Sequence, residues 1–253
     1  MPEFFQYVLL ALIGALLGSF ANVFAFQHIS GGNFRRVRSN NLVSGLRQTY
    51  MECLPLVGWW RYFWRCARGD MHLPPRHMSV ELALAGIFPL AFWRLGASDF
   101  SLVVPFILLL SIIFLTDLDA LIIPDRASIG GAGLGLVFAA LEPRVLPDLQ
   151  QALVGGFCGF GLVYGINAIY RLWRGIDGIG LGDAKLMGML GVWLGAVSLL
   201  PILFGASLAA AGLGTVLTRQ KSKGLEHTQL PFGCYLVLAA LVWLLFAREA
   251  FVT

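Results

Sequence analysis

Charge is scarce in this chain. Lys, Arg, Asp and Glu together make up 13% of its 253 residues, about half of the roughly 25% found in soluble domains. That excludes an ordinary water-soluble globule. Paired cysteines are missing as well: Cys53, Cys66, Cys158 and Cys234 show no short repeated spacing, which argues against a disulfide scaffold. Cys158 and Cys234 fall in or beside apolar segments, where a small buried hydrophobe is the default role. The first apolar stretch lacks a basic n-region and a small-residue cleavage site, so it is expected to persist as a first span and not to be removed as a signal peptide. Carboxylates are few, 14 in all, and the position of each one is therefore informative.

What fills the space is hydrophobe. Apolar residues make up 58% of the chain and the mean hydropathy is +0.77. Apolar runs lie near 4–26, 80–95, 100–116, 127–141, 149–170, 184–197, 200–217 and 230–247, several of them long enough to cross a hydrocarbon core of about 30 Å. The expected fold is all-α: a polytopic membrane bundle of about eight transmembrane helices with one cytoplasmic loop region. Its expected parts are a first transmembrane helix (1–26), a basic cytoplasmic loop region (27–79) and a seven-helix membrane core (80–253). Gly130, Gly131 and Gly133 fit close helix packing.

Orientation follows from the basic residues. With the segment after the first span placed in the cytoplasm, 15 of the 18 Lys and Arg fall on that side, and only Arg94, Arg144 and Arg248 fall outside. That asymmetry is a positive-inside signal, and it predicts both termini outside. The segment 27–79 holds eight arginines against Glu52 and Asp70, interleaved with aromatics in Trp59-Trp60-Arg61-Tyr62-Phe63-Trp64-Arg65. Arg beside Trp and Tyr suits an interface with anionic lipid. The expected partner is therefore membrane lipid, not nucleic acid.

Two groups of acids remain. Asp117, Asp119 and Asp125 cluster where the third apolar run meets the cytoplasmic side, and Asp183 stands in Gly180-Leu181-Gly182-Asp183-Ala184-Lys185, just ahead of the sixth run. The alternation of spans places both groups at one membrane face. Two carboxylates brought close in a poorly hydrated site share a proton, so one can activate water while the other polarises a carbonyl. Gly180 and Gly182 give a substrate backbone room to approach. Simpler roles compete: Asp183 or Asp125 as helix N-caps, and Asp117 paired with Arg126.

Gly180-Leu181-Gly182-Asp183 with the run that follows resembles the GxGD segment of type IV prepilin peptidases. Asp117-Leu118-Asp119 with Pro124-Asp125 resembles their other acid segment. Weaker matches follow the family's order: Gly18-Ser19-Phe20-Ala21-Asn22-Val23, Val80-Glu81, and Pro231-Phe232-Gly233. The resemblance implies an aspartyl endopeptidase of the bacterial inner membrane, multi-pass, with its active site near the cytoplasmic face. Such enzymes cut a short basic leader from prepilins or type II pseudopilins, usually between Gly and Phe. Many then methylate the new N-terminus with S-adenosylmethionine; proteolysis itself needs no cofactor. The separation of 64 residues between Asp119 and Asp183 matches the family's catalytic pair, against 66 for Asp117. Asp119 and Asp183 are the expected catalytic residues, with Asp117, Asp125, Gly180, Gly182, Lys185 and Glu81 in support. Lys185 either tunes Asp183 or faces headgroups, and Glu81 either supports methylation or packs helices.

The sequence also departs from the family. Many members carry two Cys-x-x-Cys pairs in the first cytoplasmic loop. Here the first is absent around Ser39-Asn40-Asn41 and the second is reduced to Cys66-Ala67-Arg68-Gly69, with Cys53 at no matching position. A structural zinc is not expected, since four thiolates are the usual set, and Cys66, His72 and His77 lack a fourth ligand. Two readings from other classes stay beside the peptidase: a proton-coupled transporter using the same acids, and a non-catalytic pilus or secretion assembly protein.

Overall fold

A computed structural model describes residues 2–29, 75–142, 147–176, 178–220 and 230–247. Among these, regular structure is helical throughout, with no strand. The helices are α1 (Pro2–Ile29), α2 (Pro75–Ala120), α3 (Asp125–Leu141), α4 (Leu149–Arg174), α5 (Leu181–Leu194), α6 (Leu199–Gln220) and α7 (Phe232–Val242); a 3-10 turn, Ala196–Ser198, precedes α6 and a π-turn, Trp243–Ala247, follows α7. Most of the expected basic loop, with Cys53, Cys66 and His72, lies outside the described residues.

Among the described residues, three helices are long and apolar enough to cross a membrane: Glu3–Ala25, Met78–Ala120 and Leu149–Arg174. The runs expected at 80–95 and 100–116 share one of them, α2. Its only internal break is Gly96, at φ 77° and ψ 170°, a left-handed φ that a β-carbon disfavours. Ala196–Gly212 and Phe232–Ala247 form shorter apolar helices.

The chain divides into two compact units, Met1–Phe100 and Ser101–Thr253. In the first, α1 packs backbone to backbone on the start of α2. A β-carbon at Gly14 would run into the Leu84 carbonyl, and one at Gly18 would come within 3.0 Å of Glu81 Cα. Small residues at such spacing are how membrane helices gain contact without a hydrophobic drive between them. Ser19, Asn22 and Glu81 are buried in this unit. Phe100 closes it, edge-on to Phe88 and Phe92, each with its ring centroid 5.6 Å away.

In the second unit, α5 is the central element. All residues from Leu186 to Trp193 are buried, which marks a helix apolar on every side and covered on every side. Glycines let its neighbours close in. Gly155 and Gly159 of α4 leave no room for a β-carbon against the Gly191 and Met187 carbonyls, and Gly131 and Gly135 of α3 make space for Met189 and Trp193. Trp193 stacks on Phe106 with centroids 4.8 Å apart and donates its indole N–H to the Gly131 carbonyl at 2.9 Å. Left unpaired in that place, the donor would cost about 1–3 kcal/mol. Such packing holds the first turn of α5, and with it Asp183, in a fixed place.

Candidate active site

Three chain segments of the second unit meet near Asp183. The first is the end of α2. Thr116, fully buried, returns its hydroxyl to the Ile112 and Ile113 carbonyls at 3.0 and 3.1 Å, which satisfies it within its own helix. Asp117 is 4% exposed. The helix stops at Ala120, and Leu121 takes φ 56°, a conformation uncommon outside glycine. The chain then runs to Pro124, whose carbonyl receives the Ala127 and Ser128 amides as α3 begins.

The second segment is the start of α7. Its early amides have no full α-helical partner, and Asp117 supplies one: Cys234 N–H donates to Asp117 Oδ2 at 2.9 Å and is shared with the Pro231 carbonyl at 3.2 Å. The Cys234 thiol donates to the Phe114 carbonyl at 3.3 Å. A β-carbon at Gly233 would sit 2.9 Å from Asp117 Oδ2 and 3.0 Å from Ile123 Cδ1. The glycine thus lets helix and carboxylate approach.

The third segment is the start of α5. Gly180 is its N-cap, and Asp183 is its third residue, donating its backbone N–H to the Gly180 carbonyl at 3.1 Å. The Asp183 side chain folds back toward Gly180, where a β-carbon would lie 3.3 Å from Oδ2. Asp183 precedes the apolar run and is only half-buried by accessible surface. Burial first, and then the charge of Asp117, push its carboxyl up from the usual range to about 7. A β-carbon at Gly182 would meet Ile123 at 3.2 Å. Ile123 is therefore wedged between the glycines that open α5 and α7.

The structure sorts the sequence candidates. Asp117 is the acid whose charge acts on Asp183, and Asp117, Asp119 and Asp183 all act on the Cys234 thiol. Asp119, two residues beyond Asp117, is exposed. Asp125 opens α3 without capping it, the N-cap being Pro124, and its Oδ1 instead takes Lys185 Nζ at 2.6 Å. Lys185 thereby finds a partner other than Asp183 or lipid. Glu81 belongs to the first unit, buried at 6% exposure beside Gly18. Sequence reasoning missed Cys234 and Ile123 as site residues; the Pro231-Phe232-Gly233 match was the available pointer to the former.

Comparison with known proteins bears on what this arrangement is. The model of the type IV leader peptidase family matches residues 104–215, and that of the bacterial peptidase A24 N-terminal domain matches 12–95. A protein named prepilin leader peptidase/N-methyltransferase from Stutzerimonas stutzeri is 31% identical over 203 residues, covering 78% of this chain and 68% of the relative. The chain belongs to the type IV leader peptidase family. Relatives bearing the same name include one from Neisseria gonorrhoeae, 28% identical over 271 residues and covering 97% of this chain and 91% of its own. Another, from Pseudomonas aeruginosa, is 31% identical over 200 residues, covering 76% and 67%. No solved structure matches the chain significantly. The first family model takes in both acid segments, and the second takes in Ser19, Asn22 and Glu81.

Proposed function

We propose that this protein is a membrane aspartyl endopeptidase that removes the leader from type IV prepilins or type II pseudopilins at the cytoplasmic face of the bacterial inner membrane. Asp183 is one catalytic carboxylate, and Asp117 is the partner that the geometry favours. The observation that carries this is the convergence of the segments that bear them: Asp117 is buried on the Cys234 amide beside Gly233, Ile123 lies against both Gly233 and Gly182, and Asp183 follows Gly182 within reach of the charge of Asp117. The 64-residue spacing instead favours Asp119, which the exposed position leaves suited to meeting the substrate's basic leader.

Two carboxylates in so confined a site hold one proton between them, a property of the pair and not of either member. The ionised member takes a proton from water as its oxygen attacks the scissile carbonyl carbon. The protonated member gives its proton to the carbonyl oxygen. As the tetrahedral adduct collapses the C–N bond breaks, the departing amine takes a proton from one carboxyl, and an adduct hydroxyl returns its proton to the other, which restores the shared proton. Water is consumed, and no cofactor enters.

The cytoplasmic placement, with the N-terminus outside, is part of the same proposal, and what supports it is the arginine- and lysine-rich side on which the expected alternation of spans puts both acid segments. The relatives' shared name includes N-methyltransferase, so methyl transfer, with S-adenosylmethionine as the proposed donor, is measured together with cleavage. The test is mass spectrometry of a co-expressed prepilin, read for leader loss and for an added N-terminal methyl group. Shortened prepilin supports the peptidase reading. Prepilin left at full length by the wild-type protein overturns it in favour of a transporter or an assembly role.

A further inference from the structure

The loop that delivers Asp183 is held from behind. After α4 ends, Gly175 takes φ 74° and returns its N–H to the Arg171 carbonyl, reversing the chain toward α5. On the same face of α4, one and two turns from its end, stand Tyr170 and Asn167. Asn167 Oδ1 accepts both the Gly178 N–H at 2.8 Å and the Ile179 N–H at 3.0 Å. Two successive amides aimed at one oxygen form a small concave nest, and a side-chain carbonyl occupies it. Gly178 also lies flat on Tyr170, so that a β-carbon there would come 2.7 Å from the ring.

The next residue is Gly180, and its position decides that of Asp183. Its carbonyl accepts the Asp183 backbone amide, and a β-carbon on it would lie 3.3 Å from Asp183 Oδ2. We propose that Asn167 is a positioning residue for the peptidase: by holding the Gly178 and Ile179 amides it fixes Gly180, and thereby the carboxylate of Asp183 against Asp117. The proposal rests on the peptidase reading for its catalytic consequence, but not for the clamp itself. A loop able to drift by an ångström would cost turnover more than binding, because reacting groups tolerate misplacement far less than contacts do. Tyr170 supports the clamp from one turn further along the helix.

The test compares Asn167→Leu, which keeps the volume but removes the acceptor, with Asn167→Asp, which keeps the acceptor. Hydrogen exchange of the purified detergent-solubilised protein is followed at the 178 and 179 amides, alongside cleavage kinetics on prepilin. In Asn167→Leu the two amides are expected to exchange at least tenfold faster. Its kcat is expected to fall about 10- to 100-fold with KM within about twofold, at unchanged Tm. Asn167→Asp restores both. If the Leu variant does not fold, Gly178→Ala displaces the loop from the Tyr170 side, with the same split between kcat and KM expected. Unchanged exchange in a folded Leu variant overturns the clamp. Faster exchange with unchanged kcat, or equal impairment of the Leu and Asp variants, overturns the positioning role. A wild-type protein that cleaves no prepilin overturns the peptidase reading, while the exchange measurement still decides the clamp.

Discussion

The same two stretches of chain, the turn from α2 into α3 and the first turn of α5, make two acid pairings of opposite kinds. Asp117 and Asp183 place like charges together where water is scarce. A few residues further along each stretch, Asp125 and Lys185 place opposite charges together at 2.6 Å, with side chains 62% and 24% exposed. Stability alone would not bring two carboxylates together where water is scarce, because burial and mutual repulsion both disfavour their charged forms. The buried pair is also the one braced by Cys234 and by the Gly180 turn. Carboxylates perturbed by burial and by a like-charged neighbour, and braced in this way, are candidates for acid–base chemistry.

The largest expected effect breaks or secures that contrast. Asp117→Asn and Asp183→Asn are each expected to lower prepilin cleavage by about 10³-fold or more, whereas Asp119→Asn, exposed, is expected to stay within about tenfold of wild type. Cleavage rates on purified detergent-solubilised variants decide it. An inactive Asp119→Asn beside an active Asp117→Asn would show that motif spacing outweighs burial and would move the catalytic pair by two residues.

Acid chemistry gives the second prediction. Asp183, raised to about 7, keeps its proton below that pH and loses it above. With both carboxylates ionised the pair has no proton to give the carbonyl oxygen, so kcat/KM is expected to fall as pH rises through about 7, approaching tenfold per unit on the alkaline limb. A profile flat from neutral to alkaline pH would show that the two charges are not coupled.

Glycine substitutions sharpen the comparison at smaller scale. In Gly233→Ala the new methyl group stands 2.9 Å from Asp117 Oδ2, pressing on a carboxylate of the proposed pair, and a loss of about 10²-fold in kcat is expected. In Gly182→Ala the nearest atom is Ile123 Cβ at 3.2 Å, a neighbour that is not itself reactive, and a loss of about threefold to tenfold in kcat is expected for so indirect a displacement. Equal losses would mean that Ile123 passes the displacement on in full.

The apolar runs were legible because hydrophobicity is a local signal. The starts of α3, α4 and α7 fall within a few residues of the runs expected at 127, 149 and 230. The acids were legible because carboxylates are rare in such a chain. Over Asp117 and Asp119, spacing and burial point to different residues, for a reason of helix geometry. Two residues apart on a helix point about 200° away from each other, so one faces the interior and the other the surface. Counting residues between motifs is blind to that, since it measures chain length and not facing. The α5 run shows no amphipathic period because it is covered on all sides, and composition cannot say by what. Asn167 is a single amide in an apolar helix, and its partners lie 11 and 12 residues on, across a reversal that no periodicity encodes.

The smallest expected effect belongs to the exposed pair. Lys185→Met removes one partner of a contact with Asp125, which is 62% exposed. Water solvates the carboxylate left behind, so the loss of stability is expected to be less than about 1 kcal/mol, read as a slight lowering of Tm in detergent. Cleavage is expected to stay within about threefold, since Lys185 Nζ is engaged by Asp125. Raising the salt concentration should shrink the Tm difference between wild type and variant, because exposed pairs are screened over about 10 Å at 0.1 M salt. A hundredfold loss of cleavage, or a shift of the alkaline limb in the pH profile, would instead join Lys185 to the buried acids. The two pairings would then be one network, and the contrast between them would collapse.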